Sequence, residues 1–156
     1  MTKLYTFKID WVKVSEGYGL SVESTIKMHN DGRVTGRLGE FIHMEMMGGS
    51  RQKENSKFDI MELDGVRTEV RSITKSISFA SSKEVGFGRS VTEEGFQEKL
   101  DAIDRYIGLD LRQLEIGDIT FIEITKEDLY SLPLNGDKKV TAEKFYEIYD
   151  RNQQNL

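Results

Sequence analysis

Cysteine is absent from this 156-residue chain, and histidine occurs only twice, as His29 and His43. No disulfide framework and no thiolate zinc centre is open to it, and two imidazoles alone do not make a histidine-rich metal site. Any metal is therefore to be held mainly by oxygen. Proline occurs once, at Pro133, and the longest apolar runs, such as Phe121-Ile122, are the size a strand needs and too short for a bilayer span. Residues 1–5 lack the basic-then-apolar layout of a secretory signal, so the expected location is the cytoplasm, with no membrane partner. No internal repeat and no low-complexity linker interrupts the chain. Its length is close to that of an ordinary domain, so residues 1–156 are expected to fold around a single core.

The net charge is −5. That balance counts against a general nucleic-acid coat, whose affinity comes from neutralising phosphates. The charge is unevenly placed, however. Between Val66 and Arg89 the basic residues are Arg67, Arg71, Lys75, Lys83 and Arg89, against only Glu69 and Glu84.

Aromatic and β-branched residues at 4–14 predict a strand that includes Trp11, and the pattern up to Met28 is ambiguous. Asn30-Asp31-Gly32 signals a turn. Val34, Leu38, Phe41, Ile42 and Met46 then form the stripe of an amphipathic helix, which Gly48-Gly49 stops. Residues 57–63 alternate as a strand does, Asp64-Gly65 supplies a hairpin turn, and residues 66 to about 80 keep period two. Positions 67, 69, 71, 73 and 75 would share one face of that second arm. A Ser/Gly loop covers 81–90, and Thr92 opens a helix with the stripe Phe96, Leu100, Ile103 and Ile107, the last of these open also to the strand that follows. Strands are expected at 106–111 and 119–125, a short helix at 126–132, and a final helix at 141–150 capped by Thr141, with a frayed tail.

Three acidic positions stand out: Glu40 on the first helix, and Asp59 and Glu69 on the two hairpin arms. Pairing across the hairpin brings Asp59 and Glu69 near each other. Two close carboxylates repel, and a hard divalent cation relieves that repulsion. Magnesium keeps several of its waters and binds through one or two carboxylates plus substrate phosphate, which makes this sparse acidic set suited to phosphodiester hydrolysis. Glu40 would add a further ligand, directly or through water. A cation beside Glu69, from Arg71 or Lys75, would hold the phosphate.

Asp59, nine intervening residues and then Glu69-Val70-Arg71-Ser72-Ile73 resemble the PD-(D/E)xK nuclease superfamily, and within it the small type II restriction endonucleases. The order of the predicted elements is similar too, an acid-bearing helix before a hairpin and then a helix and strand. The resemblance implies an α+β fold with a central mixed β-sheet flanked by helices, its restriction-endonuclease-like αβββαβ core at about 34–125. It implies a Mg2+-dependent DNA endonuclease, with Mn2+ able to substitute, acting on double-stranded DNA as a homodimer. Asp59 and Glu69 would hold the metal with Glu40 as an auxiliary acid. In place of the family's lysine stands Arg71, which binds phosphate bidentately but does not exchange protons near neutral pH. Either Lys75 takes the lysine's role or the site lacks it. DNA contacts are expected from the loop, through Ser81, Ser82, Lys83 and Arg89, with Gly86 and Gly88 letting backbone amides approach phosphate.

Two other readings compete. One keeps the fold without catalysis, as a DNA- or protein-binding protein. The other is a small regulatory interaction protein with solvated acids. His43 is expected to be packed or capping, His29 to lie on the surface, and Met44, Met46 and Met47 to fill the core.

Overall fold

Two-residue alternation along three neighbouring strands divides the apolar side chains between the two faces of one sheet. In β4 (Arg67–Ile73), β6 (Arg105–Asp110) and β7 (Asp118–Ile124), Val70, Ile107, Leu109, Ile119 and Phe121 enter one core. Ile73, Tyr106, Ile122 and Ile124 enter the other. Such strands are covered on both sides. The structure, a computed structural model, describes residues 1–54, 56–81 and 91–156. Ser82, Lys83 and Arg89, and with them most of the expected DNA-contact loop, lie outside the described residues.

The sheet has six strands in the order β1-β7-β6-β4-β3-β2, with β1 at Thr2–Lys8, β2 at Ser50–Arg51 and β3 at Ile60–Met61. Among the described residues only the β4–β6 pair is parallel. Helices α1 (Trp11–Tyr18), α2 (Val22–His29) and α3 (Gly32–Met47) are on the side of Trp11 and Ile42. Helices α4 (Glu93–Ala102), α5 (Lys126–Ser131) and α6 (Ala142–Gln154) bring Phe96, Leu100, Leu129 and Phe145 to the opposite core. The fold is α+β, with a mixed sheet flanked by helices. A two-stranded sheet joins β5 (Ser76–Ser78) to β8 (Lys139–Thr141). Among the described residues no helix is long and apolar enough to cross a membrane.

Several expectations change in the folded chain. The strand predicted at 4–14 ends at Lys8, because Asp10 caps a helix by accepting from the Lys13 amide. Trp11 opens that helix, is 6% exposed, and donates from its indole nitrogen to the Leu114 carbonyl at 2.8 Å. The ambiguous stretch after it forms α2, capped by Ser21. The hairpin turn forms around Asp64-Gly65, where Gly65 has φ +86° and the Glu62 amide donates to the Val66 carbonyl. Its first arm is a strand only at Ile60–Met61, and its second ends at Ile73 rather than near residue 80. Beyond that point the chain leaves the large sheet to pair with β8. At the other end, α6 runs on to Gln154, through part of the tail expected to fray.

His29 is buried at the end of α2, its Nδ1 at 2.8 Å from the Thr25 carbonyl and its ring against Trp11. It is not on the surface, because the helices α1 and α2 close over it. Met46 and Met47 are exposed and fill no core: the stripe that α3 buries consists of Thr35, Gly39, Ile42 and His43.

Candidate functional site

The hairpin register carries the first half of the site. Ile60 pairs with Thr68 and Met61 with Arg67, so one step further along, Asp59 stands opposite Glu69. Local bonds hold Asp59 there: its amide donates to the Thr68 carbonyl at 3.1 Å, and its Oδ2 accepts from the Val70 amide at 2.8 Å. Directly opposed residues on antiparallel strands project to the same face. Helix α3 stops at Gly48-Gly49 and the chain turns back through β2, whose Arg51 donates from Nε to Glu40 of the helix. A cleft of about 600 Å³ results, and Glu40, Asp59, Glu69, Arg71, Ser81 and Lys99 all line it.

Glu69 is the most enclosed of the acids, at 4% exposure. Its Oε1 lies 2.6 Å from Arg71 Nη2 and 2.9 Å from Lys99 Nζ. Its Oε2 is buried and has no hydrogen-bond partner, and neither has Arg71 Nε. Burial raises the Glu69 pKa above the ordinary carboxylate value, and the charge of Asp59 adds to the rise, against the pull of Arg71 and Lys99. Glu40 is pushed up to about 7, first by burial and then by Asp59, against the pull of Arg37 and Arg71; Arg51 Nε donates to its Oε2 at 2.6 Å. The three acids thus act on one another electrostatically. A buried carboxylate oxygen without a partner is uncommon in folded proteins and marks a place where a ligand or ion has something to satisfy.

As for a metal, the donors are all carboxylate oxygens, the ligands a hard divalent cation prefers. Among the described residues no three His, Asp or Glu side chains are already arranged to hold one. Two carboxylates suffice for magnesium, which keeps waters and takes phosphate oxygens as its other ligands. Asp59 and the unpartnered oxygen of Glu69 fit that requirement in chemistry and in place.

Lys75 does not join this cluster. The shared face of residues 67 to 75 stops with β4 at Ile73, so Lys75 is exposed in the bend before β5, and its carbonyl accepts from the Ala142 amide. The lysine that the fold does bring in is Lys99, from α4, whose side chain is 10% exposed and also donates to the Lys57 carbonyl at 2.8 Å. Its sequence signal was its place beside the apolar stripe, three residues after Phe96 and one before Leu100, which turns it toward the sheet. Arg37 and Arg51 enter the cleft as well.

His43 is packed, with Nε2 at 2.8 Å from Glu62 Oε1 and Nδ1 at 2.8 Å from the Tyr5 hydroxyl. Burial keeps it below its ordinary pKa, so the neutral ring donates to Glu62 and accepts from Tyr5. It faces away from the cleft. Comparison with protein-family models, with curated proteins and with solved structures finds no match.

Proposed function

We propose that this chain is a metal-dependent DNA endonuclease that hydrolyses phosphodiester bonds, built on a restriction-endonuclease-like αβββαβ core. The observation that carries the reading is Glu69: a buried carboxylate, opposite Asp59, bridged through one oxygen by two cations while the other has no partner. Leaving out β5, which pairs in the small sheet, the order α3-β2-β3-β4-α4-β6, with β6 parallel to β4, supports the core assignment.

In this reading Asp59 and Glu69 hold Mg2+ or Mn2+, and Glu40 supplies an auxiliary acid. A bound divalent cation lowers the pKa of its water and stabilises charge developing at phosphorus. Arg71, fixed through Nη2 by Glu69 and by the Ala80 carbonyl at 3.1 Å, brings a permanent positive charge to a phosphate in the cleft. Lys99 brings the proton-exchanging cation that arginine cannot be, so the site does not lack a lysine but takes it from the following helix. Ser81 lines the same cleft, and in this reading it meets the DNA backbone. A homodimer acting in the cytoplasm on double-stranded DNA completes the proposal, since a two-fold protein matches the two strands of a palindrome.

A second reading has its own observation. Glu69 Oε1 is already shared by Arg71 and Lys99, so the same fold can rest as a catalytically inactive DNA-binding protein. Incubating the protein with mixed plasmid and phage DNA in Mg2+, Mn2+ or EDTA separates the two. Discrete metal-dependent fragments, lost in Asp59→Ala, are expected of the endonuclease; intact DNA with every metal, together with metal-independent binding, would favour the inactive protein.

A further inference from the structure

A second hollow, of about 520 Å³, adjoins the carboxylate cleft and shares Arg37, Glu40, Asp59 and Arg71 with it. One wall is the start of α3, packed tightly on the end of β4. A Cβ at Gly32 would stand 2.9 Å from Thr74 Cγ2, and one at Gly36 would stand 3.2 Å from Ser72 Oγ. Small residues at this contact keep the helix low against the strand and leave its outer side to Arg33 and Arg37. The opposite wall carries Lys139, from β8.

The charges here are unlike those elsewhere. Among the described residues, Arg51, Arg67, Arg71, Arg105, Arg112 and Arg151 are each in an ion pair. Arg33 and Arg37 are in none, although the chain carries 27 acidic residues against 22 basic ones. Both are exposed, and a spacing of four places them on one face of α3. Asp31, an acid on the same wall, is engaged in capping the helix through the Arg33 amide.

We infer that this hollow is the track along which a DNA strand reaches the cleft, with Arg33, Arg37 and Lys139 neutralising its backbone phosphates. The inference rests on the endonuclease reading for its ligand. Its position follows from continuity: a strand lying on Arg33 and Arg37 runs directly to Arg71 and the carboxylates. It gives an acidic protein a place to meet DNA, since the two arginines that are in no ion pair among the described residues both line this groove.

The test measures binding of a fluorescein-labelled duplex by anisotropy in Ca2+, across a range of salt, for wild type, Arg33→Ala/Arg37→Ala, Lys139→Ala and the control Arg151→Ala. Each phosphate contact contributes about 0.9 to the slope of log K against log salt. The double variant is expected to lose at least about tenfold in affinity and about 2 in slope, and Lys139→Ala about 1 in slope. Arg151→Ala should match wild type, and unchanged urea midpoints should show that all the variants fold. A double variant that binds with wild-type affinity and slope, while the wild type cuts DNA, overturns the track and leaves the endonuclease standing. Arginine-dependent binding without cleavage in Mg2+ or Mn2+ supports the track and overturns the endonuclease. A wild type that binds no duplex overturns both.

Discussion

Lys99 Nζ and Glu69 Oε1 lie 2.9 Å apart, although the first belongs to a helix and the second to a strand thirty residues earlier in the chain. The contact joins the two halves of the cleft. It places an ammonium group on a carboxylate whose second oxygen is unpartnered. Replacing Lys99 by Ala should lower the single-turnover rate of DNA cleavage by about 10²- to 10⁴-fold, the range for loss of a proton-transferring group. Lys99→Arg keeps the charge and should keep the fold, yet recover little of that rate. Full activity in Lys99→Arg would show that charge alone is required.

Glu40 sets a pH dependence for the metal-free protein. Its folded-state pKa is raised to about 7, chiefly by burial, from an ordinary value of 4.5. A carboxyl raised on folding stabilises the fold while protonated, so its contribution is full below about pH 4.5 and is lost as the pH rises through about 7. In urea unfolding in EDTA, wild-type stability should therefore fall relative to that of Glu40→Gln across that window, since His43 and Glu69 titrate in both proteins. An equal fall in the variant would place the titration elsewhere.

The readable part of this site lay in short-range pattern. Asp64-Gly65 between two alternating runs marked a hairpin and so brought Asp59 near Glu69, but not the register: a two-residue turn would pair Ile60 with Glu69, whereas the turn takes in Leu63 as well and sets Asp59 opposite Glu69. The four-three-one-four spacing of apolar residues placed Glu40 on a helix, which begins at Gly32, two residues before Val34. What was not readable depended on contacts distant in sequence. Lys75 seemed equivalent to Arg71 because alternation continues past residue 73, but the strand's partner does not: β6 pairs with β4 only as far as Ile73. Lys99 enters the site because α4 packs on the Glu69 face, a tertiary fact with only a faint trace in its stripe. Trp11 reads as a strand residue by propensity, and the cap at Asp10 overrides it.

Away from the cleft, Glu62 is 5% exposed and receives Arg105 Nη2 at 2.6 and 2.7 Å, Thr68 Oγ1 at 2.7 Å and His43. Burial alone would raise it; the hydrogen bonds from Arg105, Thr68 and His43 outweigh that and hold its pKa below the ordinary value. Arg105→Ala leaves this carboxylate buried without its cation and should destabilise the protein by about 3–5 kcal/mol in urea unfolding. Since the folded pKa is depressed, the stability that Glu62 provides is present above its unfolded value and is lost as the pH falls through the folded one. A loss below about 1 kcal/mol, the size expected of an exposed pair, would contradict this account of the network.

Gly39 precedes Glu40 and seats α3 on the sheet. A Cβ there would stand 2.4 Å from Leu109 Cδ1, and Leu109 is fully buried. Gly39→Ala should cost about 1–3 kcal/mol of stability through overpacking, despite the better helix propensity of alanine. By lifting the helix it should also reduce cleavage more than Arg151→Ala does. A stabilised variant would mean that Leu109 moves aside freely.

The central claim, that Asp59 and Glu69 form a metal-dependent hydrolytic site, is tested most directly with supercoiled plasmid. Conversion to open-circular and linear forms is followed in Mg2+, Mn2+ and EDTA for wild type and Glu69→Gln, an isosteric change that removes the charge and leaves the volume. The account predicts conversion by the wild type in either metal, none in EDTA, and none by the variant. Conversion that persists in Glu69→Gln or in EDTA, or an absence of conversion by the folded wild type in both metals, would contradict it.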